Sequence, residues 1–303
     1  MKILVTGGTG FVGSRLVPFL LEQGHTVRLL IRPAERNVPL PAGAEVIEGD
    51  PMRPGPWWRA TEECDAAFNM AGASVFGRWN PALKALLRES RLATTRNLVN
   101  SIPAGKGFTL VSTSAVGIYG DAGERECDEN APLGQDFLAR LAQDWEAEAL
   151  RAREKGARVA VARFAVVFAL GGGALEQLLK VTKNFLGGPV GSGRQWVSWI
   201  HREDLVRALL FLMESPGLEG VFNLSAPNPV RQIDAARTLG RVLGRPAFMP
   251  APAFAVRLAL GEFAETLLFS QRMVPRRLVD AGFSFHFPHL EEALRNILAD
   301  QRP

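Results

Sequence analysis

Residues 2–16 read KILVTGGTGFVGSRL, and no other stretch constrains the fold as tightly. Ile3, Leu4 and Val5 form a short apolar run of the kind that makes a buried parallel strand. Gly7, Gly10 and Gly13 follow at three-residue spacing, and residues 13–21 then take a helical apolar pattern. A strand that turns on glycines into a helix aims several free backbone N–H groups at one spot, with the positive end of the helix dipole behind it. That spot suits a pyrophosphate, so the spacing predicts a dinucleotide site. Gly7 permits the tight turn, Gly10 lets the backbone approach phosphate, and Gly13 lets the helix sit close to the strand. Thr9, Phe11 and Val12 lie between these glycines and are expected to touch the same ligand.

With 303 residues and 47% hydrophobic content, the chain can bury a large core as one α/β unit or two lobes. The longest apolar run, residues 159–170, is too short to span a bilayer and is interrupted by Arg163. No charged-then-apolar leader precedes the first strand, so neither a signal peptide nor a membrane partner is expected. Cys64 and Cys127 are the only two cysteines, without metal spacing or a disulfide framework. No metal is expected, and a reducing cytoplasm is the expected home. The formal charge is +4, but the arginines are scattered and no aromatic platform accompanies them. A solvated surface, not a nucleic-acid partner, is the expectation.

Residues 26–31 (TVRLLI) read as a second buried strand. In NAD-preferring sites this strand ends in Asp or Glu, which binds the ribose 2′-hydroxyl; here it ends in Arg32, with Arg36 nearby. A guanidinium there favours the extra phosphate of NADP, so the expected cofactor is NADP(H). Residues 45–47 make a third strand leading to Asp50, which could reach an adenine amino group or merely cap a turn. Residues 65–70 (DAAFNM) are strand four, and the small residues Ala71 and Gly72 after it would let a cofactor lie against the backbone. A long helix over 81–101 and a strand over 108–112 follow. This alternation predicts an α/β, doubly wound parallel (Rossmann) sheet over residues 1–168. Residues 169–303 are expected to form a smaller α/β substrate lobe, with parts of 195–225 returning to the sheet. Its glycine-rich loop, 187–193, could fold over a pocket.

The second informative stretch is STSAVGIYGD, residues 112–121, since hydroxyls at the end of a central strand lie beside the nicotinamide in such a sheet. With the glycine fingerprint it resembles the extended short-chain dehydrogenase/reductase superfamily. DFLARLAQDWE (136–146), Ser90-Arg91, GGPVGSGRQWVSWIHREDL (187–205) and FNLSAPNPV (222–230) are similar to its atypical epimerase-family branch. That branch carries a C-terminal segment of unknown function, here 250–298, with VPRRLVDAGFSFHFPHLEEAL (274–294) as its clearest match.

The resemblance implies that Ser114 polarises the substrate oxygen and that a tyrosine–lysine pair four residues apart transfers the proton. Counted from Pro132, that pair falls on Asp136 and Arg140, and the chain's single tyrosine, Tyr119, has no lysine four residues on. The usual pair therefore cannot exist here. Arg140 could still bind the nicotinamide ribose, but its pKa bars it from yielding a proton. Asp136 could serve as acid or base, or be held ionised by Arg140 as a structural pair. Tyr119 is expected to line the pocket or to transfer a proton. Arg163 and Val166, in the segment matching the one along the nicotinamide, are cofactor candidates, although packing would explain the valines equally well. Arg194, Trp196 and His201 match the substrate-contacting stretch, though His201 at a helix start could simply bond helix-end groups. Together these imply an NADP(H)-dependent oxidoreductase or epimerase-like enzyme acting on a small carbonyl or sugar-like substrate. The rival reading is a regulatory or scaffold protein that binds the cofactor and has lost turnover. Related folds also dimerise through helices corresponding to 81–101 and 137–155.

Overall fold

The computed structural model of the chain describes residues 1–299. Seven strands build one parallel sheet: β1 Lys2–Thr6, β2 Thr26–Ile31, β3 Glu45–Glu48, β4 Ala66–Asn69, β5 Thr109–Ala115, β6 Arg158–Phe164 and β7 Gly220–Leu224. Their spatial order is β7-β6-β5-β4-β1-β2-β3. β1 is the strand at which the order reverses, pairing Ile3 with Val27 on one side and with Ala66 on the other. Helices cover both faces, so Ile3, Leu4 and Val5 are fully buried, as an uninterrupted apolar strand requires.

β5 runs past the predicted 112 to Ala115, because β6 is long enough to pair Ser114 with Arg163 and Ala115 with Phe164. That extension carries Thr113 and Ser114 on rigid strand backbone. Residues 220–224 close the sheet beside β6.

Helix α1, Gly13–Glu22, leaves β1 through the glycine turn. Gly7 stands at φ +71°, and a Cβ on it would lie 2.7 Å from the Ala71 nitrogen. A Cβ on Gly13 would fall on the Gly7 carbonyl oxygen and within 2.5 Å of the Gly8 Cα. Three backbone segments thus meet with no side chain between them. Helix α2, Pro81–Ser101, starts at Asn80, whose Oδ1 accepts from the Leu83 N–H at 2.8 Å. Helix α3, Phe137–Leu150, lies beside it, joined by the ion pairs Arg88–Asp144 and Arg96–Glu148. Helix α4, Arg202–Glu214, packs against α1, where Arg15 Nε meets Glu203 at 2.8 Å.

The glycine-rich loop 187–193, whose composition suggested a cover for a pocket, does not line the large cavity at the carboxyl ends of the strands. Its backbone lies against residues 249–251: a Cβ on Gly188 would sit 2.6 Å from the Met249 nitrogen, and the Gly191 N–H donates to the Ala251 carbonyl at 2.8 Å. Gly188 serves that close approach, while a Cβ on Gly187 would meet Thr182 and one on Gly193 would meet Pro189 and Ile233. Among the described residues no helix is long and apolar enough to cross a membrane.

Gly13→Ala is expected to destabilise the fold by about 1–3 kcal/mol, since its methyl meets backbone that cannot swing away. A lowered urea midpoint with an unchanged slope checks this; an unchanged midpoint contradicts the packing.

Candidate functional site

A cavity of about 740 Å³ opens at the carboxyl ends of β1, β4, β5 and β6, where the strand order reverses. Ligands bind open α/β sheets at such a switch point. Its floor is the glycine turn, with Gly7, Gly10, Phe11, Val12 and Gly13, and Gly72 beyond β4. No side chain caps α1 at Val12; the Ser14, Arg15 and Leu16 amides are taken by the Gly10 and Val12 carbonyls, which leaves the Phe11, Val12 and Gly13 amides without an acceptor among the described residues. The cradle that the glycines keep free of side chains fits a pyrophosphate.

Ser114 lines the cavity and is only 2% exposed. Its Oγ donates to Glu146 Oε1 at 2.6 Å. Behind it, Arg163 grips the same carboxylate with both arms, Nε to Oε1 at 2.7 Å and Nη2 to Oε2 at 2.8 Å. Arg163 Nη1 then donates to the Tyr119 hydroxyl at 2.9 Å, and that hydroxyl donates to Asn223 Oδ1 at 2.7 Å. Burial works against the Arg163 charge, but Glu146 more than offsets it and raises its pKa above the ordinary value. A buried bidentate pair of this kind fixes both side chains.

Two candidates change role here. Tyr119 is not a wall residue: it is 1% exposed behind the cavity, and burial pushes its pKa up to about 12. Arg163 does not face the cofactor shelf, because its guanidinium is consumed by Glu146 and Tyr119; its neighbours Phe164, Ala165 and Val166 line the cavity instead.

Asp136 and Arg140 do not form the acid–base pair either. Asp136 borders the cavity, but it is the N-cap of α3, with Oδ1 accepting from the Leu138 and Ala139 amides at 2.9 and 3.2 Å. Arg140 is exposed and does not line the cavity. The cavity face of α3 is Leu138, Leu141, Ala142 and Trp145, and Arg140 is turned away by helical phase. The inward-facing pairs four residues apart are therefore Leu138 with Ala142 and Leu141 with Trp145, none of which carries an acidic or basic group. Glu146, one turn beyond Ala142, is not visible as a site residue in the sequence, because one of three acids in DWEAEAL (144–150) reads as surface.

At the end of β2, Arg32 is not free. Glu35 Oε2 accepts from its backbone N–H at 2.8 Å and from Nε at 3.2 Å, while Thr9 Oγ1 donates to Glu35 Oε1 at 2.8 Å. Thr9 thus lies beside this carboxylate, and Arg36 pairs with Glu48. Asp50 caps a turn through the Met52 amide at 2.9 Å and does not line the cavity. The Ala71 amide is directed to Thr6 Oγ1 at 3.3 Å.

Arg194, Trp196 and His201 are not brought to the cavity. Arg194 is exposed, and Trp196 is packed against the guanidinium groups of Arg231 and Arg272, 3.9 and 4.9 Å from its ring centroid. His201 caps α4 through the Glu203 amide at 3.1 Å and stacks on Phe287 at 4.0 Å; burial lowers its pKa. The roof comes instead from the C-terminal segment, by way of Glu262, Phe263, Thr266 and Gln271. Phe263 meets Phe76 and Trp79 edge-on or tilted at 5.6 and 6.0 Å, closing the cavity with aromatic rings. Among the described residues no group of three His, Cys, Asp or Glu is placed to hold a metal ion.

The sheet, the switch-point cavity and the glycine turn define a dinucleotide-binding protein of the short-chain dehydrogenase/reductase type. Residues 3–225 match the NAD dependent epimerase/dehydratase family, to which the chain belongs, and residues 251–297 match a domain of unknown function, DUF1731. The chain is 39% identical over 305 residues to the chloroplastic epimerase family protein SDR39U1 homolog of Arabidopsis thaliana, covering 98% of this chain and 87% of that protein. It is 36% identical to epimerase family protein YfhF of Bacillus subtilis, covering 100% of this chain and 99% of that one. Human epimerase family protein SDR39U1, solved with NADPH, superposes with a TM-score of 0.87 at 34% identity, covering 99% of this chain and 100% of that one.

As the chain's only tyrosine, Tyr119 can be titrated alone by phenolate absorbance. Its pKa is higher folded than unfolded, so its share of stability is present below about pH 10 and is lost as pH climbs toward 12. The folded protein is expected to show no phenolate at pH 10.5, where the urea-unfolded chain is largely ionised. Equal titration curves in the two states would contradict the burial.

Proposed function

We propose that the protein is an NADP(H)-dependent oxidoreductase or epimerase acting on a small carbonyl or sugar-like substrate. The observation that carries this reading is Ser114 on the cavity wall with its hydroxyl proton committed to the buried Glu146 at 2.6 Å. The nicotinamide, when bound, would accept or supply hydride. Gly7, Gly10 and Gly13 with the first turn of α1 would hold its pyrophosphate. Arg32 and Arg36 would take a 2′-phosphate, which competes with Glu35 for the Arg32 guanidinium. That the human relative was solved with NADPH supports this preference.

With its own proton directed to Glu146, Ser114 Oγ presents a lone pair to the cavity and can accept a proton from a substrate hydroxyl. The Ser114 proton passes to Glu146 Oε1 as the substrate proton arrives, and the reverse path protonates a carbonyl oxygen. Arg163 keeps the carboxylate oriented and its charge balanced through the exchange. Leu138, Leu141 and Ala142 keep that side of the cavity dry, which strengthens each polar contact within it.

The apolar pair Leu138 and Ala142 favours a second reading, a cofactor-binding regulatory or scaffold protein without turnover. Single-turnover assays separate the two. Bound NADPH is expected to be oxidised by a member of a panel of carbonyls and sugar nucleotides, with Ser114→Ala slowing the step roughly 10²–10⁴-fold at unchanged NADPH affinity. Bound NADPH that no compound consumes would favour the regulatory reading. For the cofactor, NADPH is expected to bind more tightly than NADH, with Arg32→Ala reducing the ratio roughly tenfold. Equal affinities unaffected by that substitution would remove the Arg32 assignment.

A further inference from the structure

We infer that Arg91 is an oxyanion-binding residue of the cavity, one that takes a phosphate or carboxylate group of the ligand. The site is the one proposed above, and two sources fit the chemistry: the pyrophosphate of the dinucleotide, or an acidic group on the substrate. Arg91 lies in the middle of α2 with its side chain over Gly72, where a Cβ would come within 3.4 Å of its Cγ and Cζ. Arg91 lines the cavity, and its guanidinium carbon lies 5.3 Å from the ring centroid of Trp145, which stands one turn beyond Ala142 on the cavity face of α3.

What sets Arg91 apart is its place: among the described residues it is the one basic side chain that lines the cavity. A single protein acceptor, the Leu87 carbonyl, takes Nη1 at 3.1 Å, and no carboxylate among the described residues pairs with it. Arg28, Arg163 and Arg15 are matched by acids, whereas Arg158, which like Arg91 has no ion pair, spends its guanidinium on the Leu212, Met213 and Leu218 carbonyls. The acids that border the cavity are committed elsewhere. Glu262 pairs with Lys84, Glu265 with Arg257, and Asp136 caps α3.

Burial lowers the Arg91 pKa to about 10, which still leaves it cationic at neutral pH. A sheltered cation beside a ligand cavity, with ring and carbonyl on one side and no counter-ion, is poised for an anion supplied from the cavity. The planar fork can hold two oxygens of such a group at once. Arg91 thereby returns a positive charge to a cavity whose α3 wall carries none.

The test uses wild type, Arg91→Gln, Arg91→Lys and Arg91→Met, read by NADPH fluorescence and by thermal shift. If the pyrophosphate is the partner, Arg91→Gln raises the NADPH Kd about tenfold or more, with Arg91→Lys in between. If a substrate group is the partner, NADPH affinity stays within about twofold. Malonate or inorganic phosphate then stabilises the NADPH-loaded wild type and not Arg91→Gln. In both cases ligand-free Arg91→Met, which keeps a stem over Trp145, melts no lower than wild type. Unchanged NADPH and malonate binding in Arg91→Gln, with Arg91→Met melting lower, overturns the inference and makes the residue structural. If wild type binds no NADPH, the dinucleotide reading falls on its own. The malonate and phosphate titrations of ligand-free protein then decide Arg91.

Discussion

The contact on which the site depends is between backbones. α1 approaches the end of β1 until Gly13 rests against the Gly7 carbonyl, while Gly7 rests against the Met70–Ala71 peptide. A side chain at Gly13 would push the helix away from the strand, and one at Gly7 would strike the Met70–Ala71 peptide. With the helix held there, the positive end of its dipole and the unbonded amides of Phe11, Val12 and Gly13 stand at the floor of the cavity. The strand reversal beside β1 supplies the crevice, and the glycines supply the depth. Packing and anion binding are thus set by one geometric requirement.

A second constraint lies behind the cavity wall. Removing Glu146 and Arg163 from water is costly, and a matched pair of apolar residues would serve stability as well or better. What the ion pair adds is orientation: Ser114 receives a fixed acceptor, and Tyr119 and Asn223 are tied into the same chain of bonds. Asn223 in turn holds the Cys127 and Val274 carbonyls at 3.0 Å, so the network reaches the strand pairing of Arg272–Met273 with Glu126–Cys127. The polar interior therefore joins the cavity wall to the C-terminal segment.

The parts of this architecture that rest on local rules were legible in the chain. The glycine spacing, the apolar strands and the small residues after β4 each follow from what a few neighbouring residues can do. The site chemistry was less so. Counting from Pro132 put the acid–base positions on Asp136 and Arg140, but the helix begins only after Asp136 has capped it, which turns Leu138 and Ala142 inward. Trp196 and His201 look like site residues until Arg231, Arg272 and Phe287 are brought against them from far along the chain. Glu146 and Arg91 differ from surface residues only through burial, which a sequence does not display.

The cavity roof has a consequence of its own. Phe263, Thr266 and Gln271 belong to the segment that begins beyond the family's main match, yet they stand over the glycine floor. The segment is moored on the far side, with the Gln271 carbonyl accepting from Ser198 Oγ at 2.7 Å and Met273 paired to Cys127. Floor and ceiling hence bound one chamber: a swap of the tail between relatives would reshape it, so ligand choice should travel with the C-terminal segment as much as with the Rossmann half.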